Sequence, residues 1–117
     1  MTFNSKGQME DEITKALIQW EKEYMGRGPS EARTDIVRNM IIVSLKGILS
    51  QAEKHLAKEQ NGMSLIKKLR EQLVYQRRSE LEEIIFSITG NKVVSIHSDL
   101  STKTGERLFV FVIENEI

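Results

Sequence analysis

The stretch that most restricts the fold is RLFVFVIE at residues 107–114, where Leu108, Val110 and Val112 alternate with Phe109, Phe111 and Ile113. Successive strand residues point to opposite faces of a sheet, so both faces of this segment are apolar. Such a strand is expected in a central position, in a sheet covered on both sides. Its partner is close by. KVVSIHSDL at 92–100 precedes it across a turn through STKTGE, which predicts a C-terminal hairpin whose turn Asp99, Ser101, Thr102 and Gly105 organise. A sheet of this kind needs helices with apolar stripes to cover it.

Upstream the apolar spacing changes from two to three and four. Ile13, Leu17, Trp20 and Tyr24 share one face, which predicts a first helix from about residue 8 to 25, after a polar lead over residues 1–7 expected to be flexible. The run TDIVRNMIIVSLKGI, from roughly 34 to 48, predicts one strand with Ile41, Val43 and Leu45 on one face and Met40, Ile42, Ser44 and Lys46 on the other. Ser50 and Glu53 have the spacing of a capping box, opening a second helix that stops near Asn61 and Gly62. Ser64 then caps a third, reaching Thr89, with Leu65, Leu69, Leu73, Leu81, Ile84 and Ile88 along its stripe and Gly90 at its close. The order helix, strand, helix, helix, strand, strand predicts a single α+β domain over 1–117, its small, mostly antiparallel sheet packed on helices.

Charge and composition narrow the function. Seventeen basic side chains balance seventeen acidic ones among 117 residues, so no net charge draws the chain onto nucleic acid. No cysteine is present, and MTFNSKGQMEDE lacks the apolar core of a signal peptide, which together predict a cytoplasmic protein. The longest apolar stretches, MIIVSLKGIL and LFVFVI, fall short of the roughly 20 residues a spanning helix needs. Any membrane association is expected to be peripheral.

Two clusters are candidate sites. In GRGP, Gly26, Arg27 and Gly28 have two readings: a helix-stopping corner, or an anion or partner contact made by Arg27 and the neighbouring amides. A phosphate-binding loop would need a preceding strand and a Gly-Lys-Ser/Thr opening, both missing here. The second cluster lies on the predicted third helix, about 39 Å long at ~1.5 Å per residue. Its basic residues come first and its acidic ones last, opposite to what the helix dipole favours. One reading is a solvated charged face. The other is the seam of an antiparallel homodimer about residue 76, using Arg70, Arg77, Glu80 and Glu82 and setting Arg70 of one copy beside Glu82 of the other. The two histidines, His55 and His97, have too few neighbouring ligands for zinc. No metal, cofactor or catalytic constellation is expected.

Four segments, GRGP at 26–29, LKGILSQAEKHLAKEQNG at 45–62, SELEEIIFSITG at 79–90 and the closing VVSIHSDLSTKTGERLFVFVIE, follow one another in an order and spacing that resembles the MpsC-like family, over nearly the whole chain. The resemblance implies a component of a Na+-translocating membrane-potential-generating system whose membrane partners are linked to cation flux and inorganic-carbon uptake. It brings no catalytic residues to carry over. A chain without a span cannot itself pass an ion through a bilayer, so the resemblance implies a non-catalytic, soluble accessory or regulatory subunit acting by association with membrane transport subunits. The alternative is a module that senses a small molecule or anion through arginine forks and free amides.

Overall fold

The computed structural model describes residues 5–101 and 103–117; residues 1–4 of the expected flexible lead, and Thr102 of the expected hairpin turn, lie outside them. Helix α1 runs over Lys6–Met25 and starts earlier than periodicity predicts, because the Ser5 side chain accepts from the Gln8 amide at 3.1 Å and so caps the first turn. It buries Ile13, Leu17 and Trp20 and ends at Gly26, whose φ of 91° closes the helix in the left-handed region.

Where the sequence predicts one strand from 34 to 48, the structure has a hairpin, β1 over Glu31–Val37 and β2 over Met40–Lys46. Val37 pairs with Met40 across a two-residue turn in which Arg38 takes a φ of 58°. That left-handed geometry matches the strand twist but usually signals itself through Asn-Gly or Asp-Gly. Arg38-Asn39 carries a fainter signal, so the β-branched run reads as continuous.

The helical middle is also divided differently. Helix α2 covers Gln51–Leu56, α3 Gln60–Gln76 and α4 Arg78–Thr89. The capping box forms as expected: the Glu53 amide donates to Ser50 Oγ at 3.1 Å and the Ser50 amide to Glu53 Oε1 at 3.0 Å. The expected single helix over 64–89 is broken at Arg77. The break accounts for the charge order, because Glu80 now sits in the first turn of a new helix, where a negative charge is favourable. Arg77 holds the joint by stacking its guanidinium 4.2 Å from the centre of the Tyr24 ring.

Strands β3 over Val93–Ser101 and β4 over Glu106–Ile113 complete one antiparallel sheet in the order β1-β2-β4-β3. The α+β class holds, and β4 is central as its apolar run requires. Ile36, Ile41, Val43, Leu45, Phe109, Phe111 and Ile113 point from the sheet into one core, with Ile13, Leu17, Trp20, Ile66, Leu81 and Ile85 from the helices. Trp20 meets Phe109 edge-on at 6.1 Å, and Phe109 stacks on Phe111 at 5.7 Å. Among the described residues, only this face is covered. On the other, Ile42, Val110 and Val112 are half-buried and Leu108 is exposed, in contrast to the cover expected on both sides.

Candidate functional site

Four charged side chains from four elements meet at the edge of the core. Glu21 lies one turn beyond Leu17 on the buried face of α1 and has no exposed surface. Arg107 is the second residue of β4, in the same inward register as Phe109, Phe111 and Ile113, and is 1% exposed. Arg70 follows Gly62 and Ile66 on the inward side of α3 and is 3% exposed. Glu53, already part of the capping box, completes the group from α2.

The pairings differ in quality. Arg70 donates through Nε to Glu53 Oε2 at 3.0 Å and through Nη2 to Glu53 Oε1 at 2.8 Å, a bidentate fork, and its Nη2 also donates to the Ile48 carbonyl at 3.2 Å. Glu21 stands farther off, with Oε2 at 3.6 Å from Arg70 Nη1 and Oε1 at 3.6 Å from Arg107 Nε. Those distances permit charge attraction but not a hydrogen bond. Arg107 is further steadied by lying 5.3 Å from the centre of the Phe109 ring.

Burial sets the protonation behaviour. It pushes the Glu21 carboxyl above the usual range, opposed by the nearby Arg107 and Arg70 charges. It lowers the Arg107 guanidinium to about 10, opposed by Glu21, which still leaves it charged at neutral pH. Burial would also raise Glu53, but the hydrogen bonds from Arg70 and from the Ser50 amide outweigh it and hold the carboxyl below its ordinary value.

The Glu53 shift gives a measurable sign. A carboxyl lowered in the folded state contributes stability above its unfolded value of about 4.3, and that contribution is lost as pH falls through the folded value. Glu21, raised by burial, works in the opposite sense, so only a difference between variants isolates Glu53. Glu53→Gln is expected to melt below the parent protein at pH 7, with the gap narrowing as pH falls from about 5 to 3. Thermal melts across that range check it; a gap constant with pH would show that the Glu53 charge is not what stabilises the pair.

The expected sites fare unequally. Gly26, Arg27 and Gly28 form the corner after α1: Arg27 is exposed and donates through Nη1 to the Leu49 carbonyl at 3.2 Å, and a Cβ at Gly28 would stand 3.0 Å from Lys22 Cε. The expected pairing of Arg70 with Glu82 of a second copy does not fit the structure, because Arg70 is enclosed and forked onto Glu53. Arg77 pairs with Glu80 at 2.9 Å and Arg78 with Glu82 at 3.0 Å, both within α4 and its cap. Sequence reasoning missed Glu21, Glu53 and Arg107 as partners. The alternation of β4 could have flagged Arg107, since its odd-numbered residues all face inward.

The buried face of α3 is turned relative to expectation as well, with Leu73 of the expected stripe half-buried. Leu65 and Leu69, assigned by periodicity to a core stripe, are 59% and 57% exposed, while Arg70 is inside.

The family description "Na+-translocating membrane potential-generating system (MpsC)" matches residues 5–115. The chain belongs to the MpsC family. The chain is also 50% identical over 113 residues to "Uncharacterized protein YbcI" of Bacillus subtilis (strain 168), covering 97% of this chain and 91% of that relative. It is 28% identical over 107 residues to "Uncharacterized protein YrhF" of the same organism, covering 91% and 88%. No solved structure matches. Among the described residues of this MpsC-family chain, no helix is long and apolar enough to cross a membrane.

Proposed function

We propose that this chain is a non-catalytic accessory or regulatory subunit of a membrane-potential-generating ion or inorganic-carbon transport system, docked peripherally from the cytoplasm onto the subunits that carry the ion. The family description supports the system. The role rests on a physical division of labour: an ion needs a protein-lined path through the bilayer, and this chain offers no membrane-crossing helix among its described residues. A partner supplies that path.

The observation that carries the docking reading is the outward stripe of α3. Leu65 and Leu69 stand one turn apart in solvent, and Leu56 is 44% exposed on the adjoining α2. Neighbouring leucines left in water on two adjoining helices mark a surface that gains by being covered. A helix face of this kind suits an apolar groove on a partner.

The test is co-purification. The tagged chain is expected to recover the family's membrane subunits from detergent-solubilised membranes, and Leu65→Lys with Leu69→Lys is expected to abolish the recovery. Both positions are exposed, so the double variant is expected to hold its stability within about 0.5 kcal/mol. Failure of the parent chain to enrich membrane subunits at low salt would remove the proposal. The same stripe also suits a second copy of this chain, the homodimer expected from the sequence. In that case sedimentation velocity shows a dimer that the double variant converts to monomer, with no membrane subunit recovered.

A further inference from the structure

The sheet face turned away from the core is laid out in rows across the strands. The register sets Arg33, Ser44, Leu108 and Asp99 in one row, Asp35, Ile42, Val110 and His97 in the next, and Val37, Met40, Val112 and Ser95 in a third. At the other end Glu31 pairs with Lys46, and Glu106 lies level with Lys46, one step beyond the Leu45–Arg107 pair. The middle of the face is therefore apolar and its margins are charged. Met40, Ile42, Val110 and Val112 are half-buried, Leu108 is exposed, and none of them packs against the core. A strand apolar on both sides gains fully only when both are covered.

We infer that a second copy of this chain covers this face, sheet against sheet, about a two-fold axis parallel to the strands and midway between β2 and β4. Such an axis exchanges β2 with β4 and β1 with β3, so each row meets its own reversed copy. Ile42 then stands over Val110 of the second copy and Met40 over Val112. The exposed Leu108 stands over the small Ser44, where a trough of about 400 Å³ walled by Arg33, Lys46 and Leu108 gives it room. The charges fit in the same arrangement: Asp35 meets His97, Lys46 meets Glu106 and Arg33 meets Asp99, each twice by symmetry, and no like charges fall together. The other two-fold, across the strands, sets Lys46 over Met40 and Glu106 over Val112, charges against apolar groups.

The marginal charges are free to make these contacts. Within one copy Arg33 holds Asp35 at 2.9 Å, Lys46 holds Glu31 at 3.5 Å and Lys67 holds Asp99 at 3.8 Å, all in solvent, where such pairs cost little to share or rearrange. Aligned sheets cross at about 30°, so the central rows stay opposed and the long Arg33 and Lys46 side chains span the offset at the margins. At ~4.8 Å between strands and ~3.3 Å per residue, the four strands present a face of roughly 19 by 23 Å. Two such faces amount to about 900 Å² in plan, at the small end of specific interfaces, which suits a micromolar rather than a nanomolar dimer.

This inference uses none of the α3 leucines, and its test needs no membrane subunit. Sedimentation velocity of the full chain from about 5 to 500 μM is expected to show a monomer–dimer equilibrium with a micromolar Kd. Leu108→Lys, at an exposed position, is expected to keep the thermal melt of the parent and to weaken dimerisation by at least about tenfold. Lys46→Glu sets like charges together twice in each dimer and is expected to weaken it about tenfold. Adding Glu106→Lys to Lys46→Glu is expected to bring the dimer back to within about threefold of the parent. Leu65→Lys with Leu69→Lys is expected to leave it unchanged, which separates this contact from a dimer through α3. A chain that stays monomeric at about 500 μM would overturn the inference. A dimer that survives Leu108→Lys, that the α3 pair dissolves, or that the exchange of Lys46 and Glu106 does not restore would each overturn it too.

Discussion

Glu21→Gln is expected to destabilise the fold by about 3–5 kcal/mol, the usual cost of removing one partner from a buried charge pair. In a domain of this size that corresponds to a fall in Tm of about 10–20 °C. The change keeps the shape of the side chain and deletes its charge. Arg70 retains Glu53, but Arg107 is left buried with no counter-charge beside it. The loss is therefore expected to come chiefly from Arg107, and it can be traced there. The double variant Glu21→Leu with Arg107→Met replaces the pair with apolar groups of similar bulk, and such replacements are often neutral or stabilising. It is expected to recover most of the stability lost in Glu21→Gln. Chemical denaturation of the parent, of Glu21→Leu and Arg107→Met singly, and of the double variant gives the coupling directly. A Glu21→Gln protein within about 1 kcal/mol of the parent would mean that the cluster is hydrated and energetically slack.

The second large effect concerns Gly62. On propensity alone, alanine in place of glycine in a helix is expected to stabilise by about 1 kcal/mol. The structure reverses that sign here. Gly62 is buried in the first turn of α3, where an added Cβ would meet the Leu56 carbonyl group, its carbon 2.7 Å away, and the Leu56 side chain at 2.9 Å. Two of the obstructing atoms are backbone, which cannot rotate aside. The turn between α2 and α3 must open, and Gly62→Ala is expected to cost about 2–3 kcal/mol, at the upper end for overpacking. Gly7 supplies the control, because it lies in α1 with nothing within 4 Å of its added Cβ. Gly7→Ala is expected to be neutral or slightly stabilising. Equal behaviour of the two variants in thermal melts would show that the α2–α3 turn is not close-packed.

Much of the candidate site lay outside what the sequence discloses. Glu21 follows Trp20 on a helix, and an acid beside an apolar stripe normally reads as solvated. Its burial depends on Arg107, on a strand at the far end of the chain. Glu53 was visible as a capping residue, but its second bond to Arg70 was not, because that contact joins two helices whose packing no local pattern records. Arg70 and Leu69 are adjacent in the chain, and the periodicity of α3 placed the leucine inside and the arginine at a seam. The carboxylates waiting at the core edge decide otherwise, since an arginine that can reach two of them offsets its own desolvation.

Local residue patterns were enough for the α+β class, the first helix, the capping box at Ser50, the C-terminal hairpin, and the central place of β4. Each of these is written in residues within a few positions of one another, where side-chain spacing and hydrogen-bonding chemistry act directly. Long-range packing settles the hairpin turn at Arg38, the break at Arg77, the outward leucines of α3 and the meeting of Glu21, Glu53, Arg70 and Arg107. Those depend on which surfaces come together across the whole chain. A charge or an apolar group can be satisfied in several ways locally, and the packed fold selects the one in which the buried charges find each other.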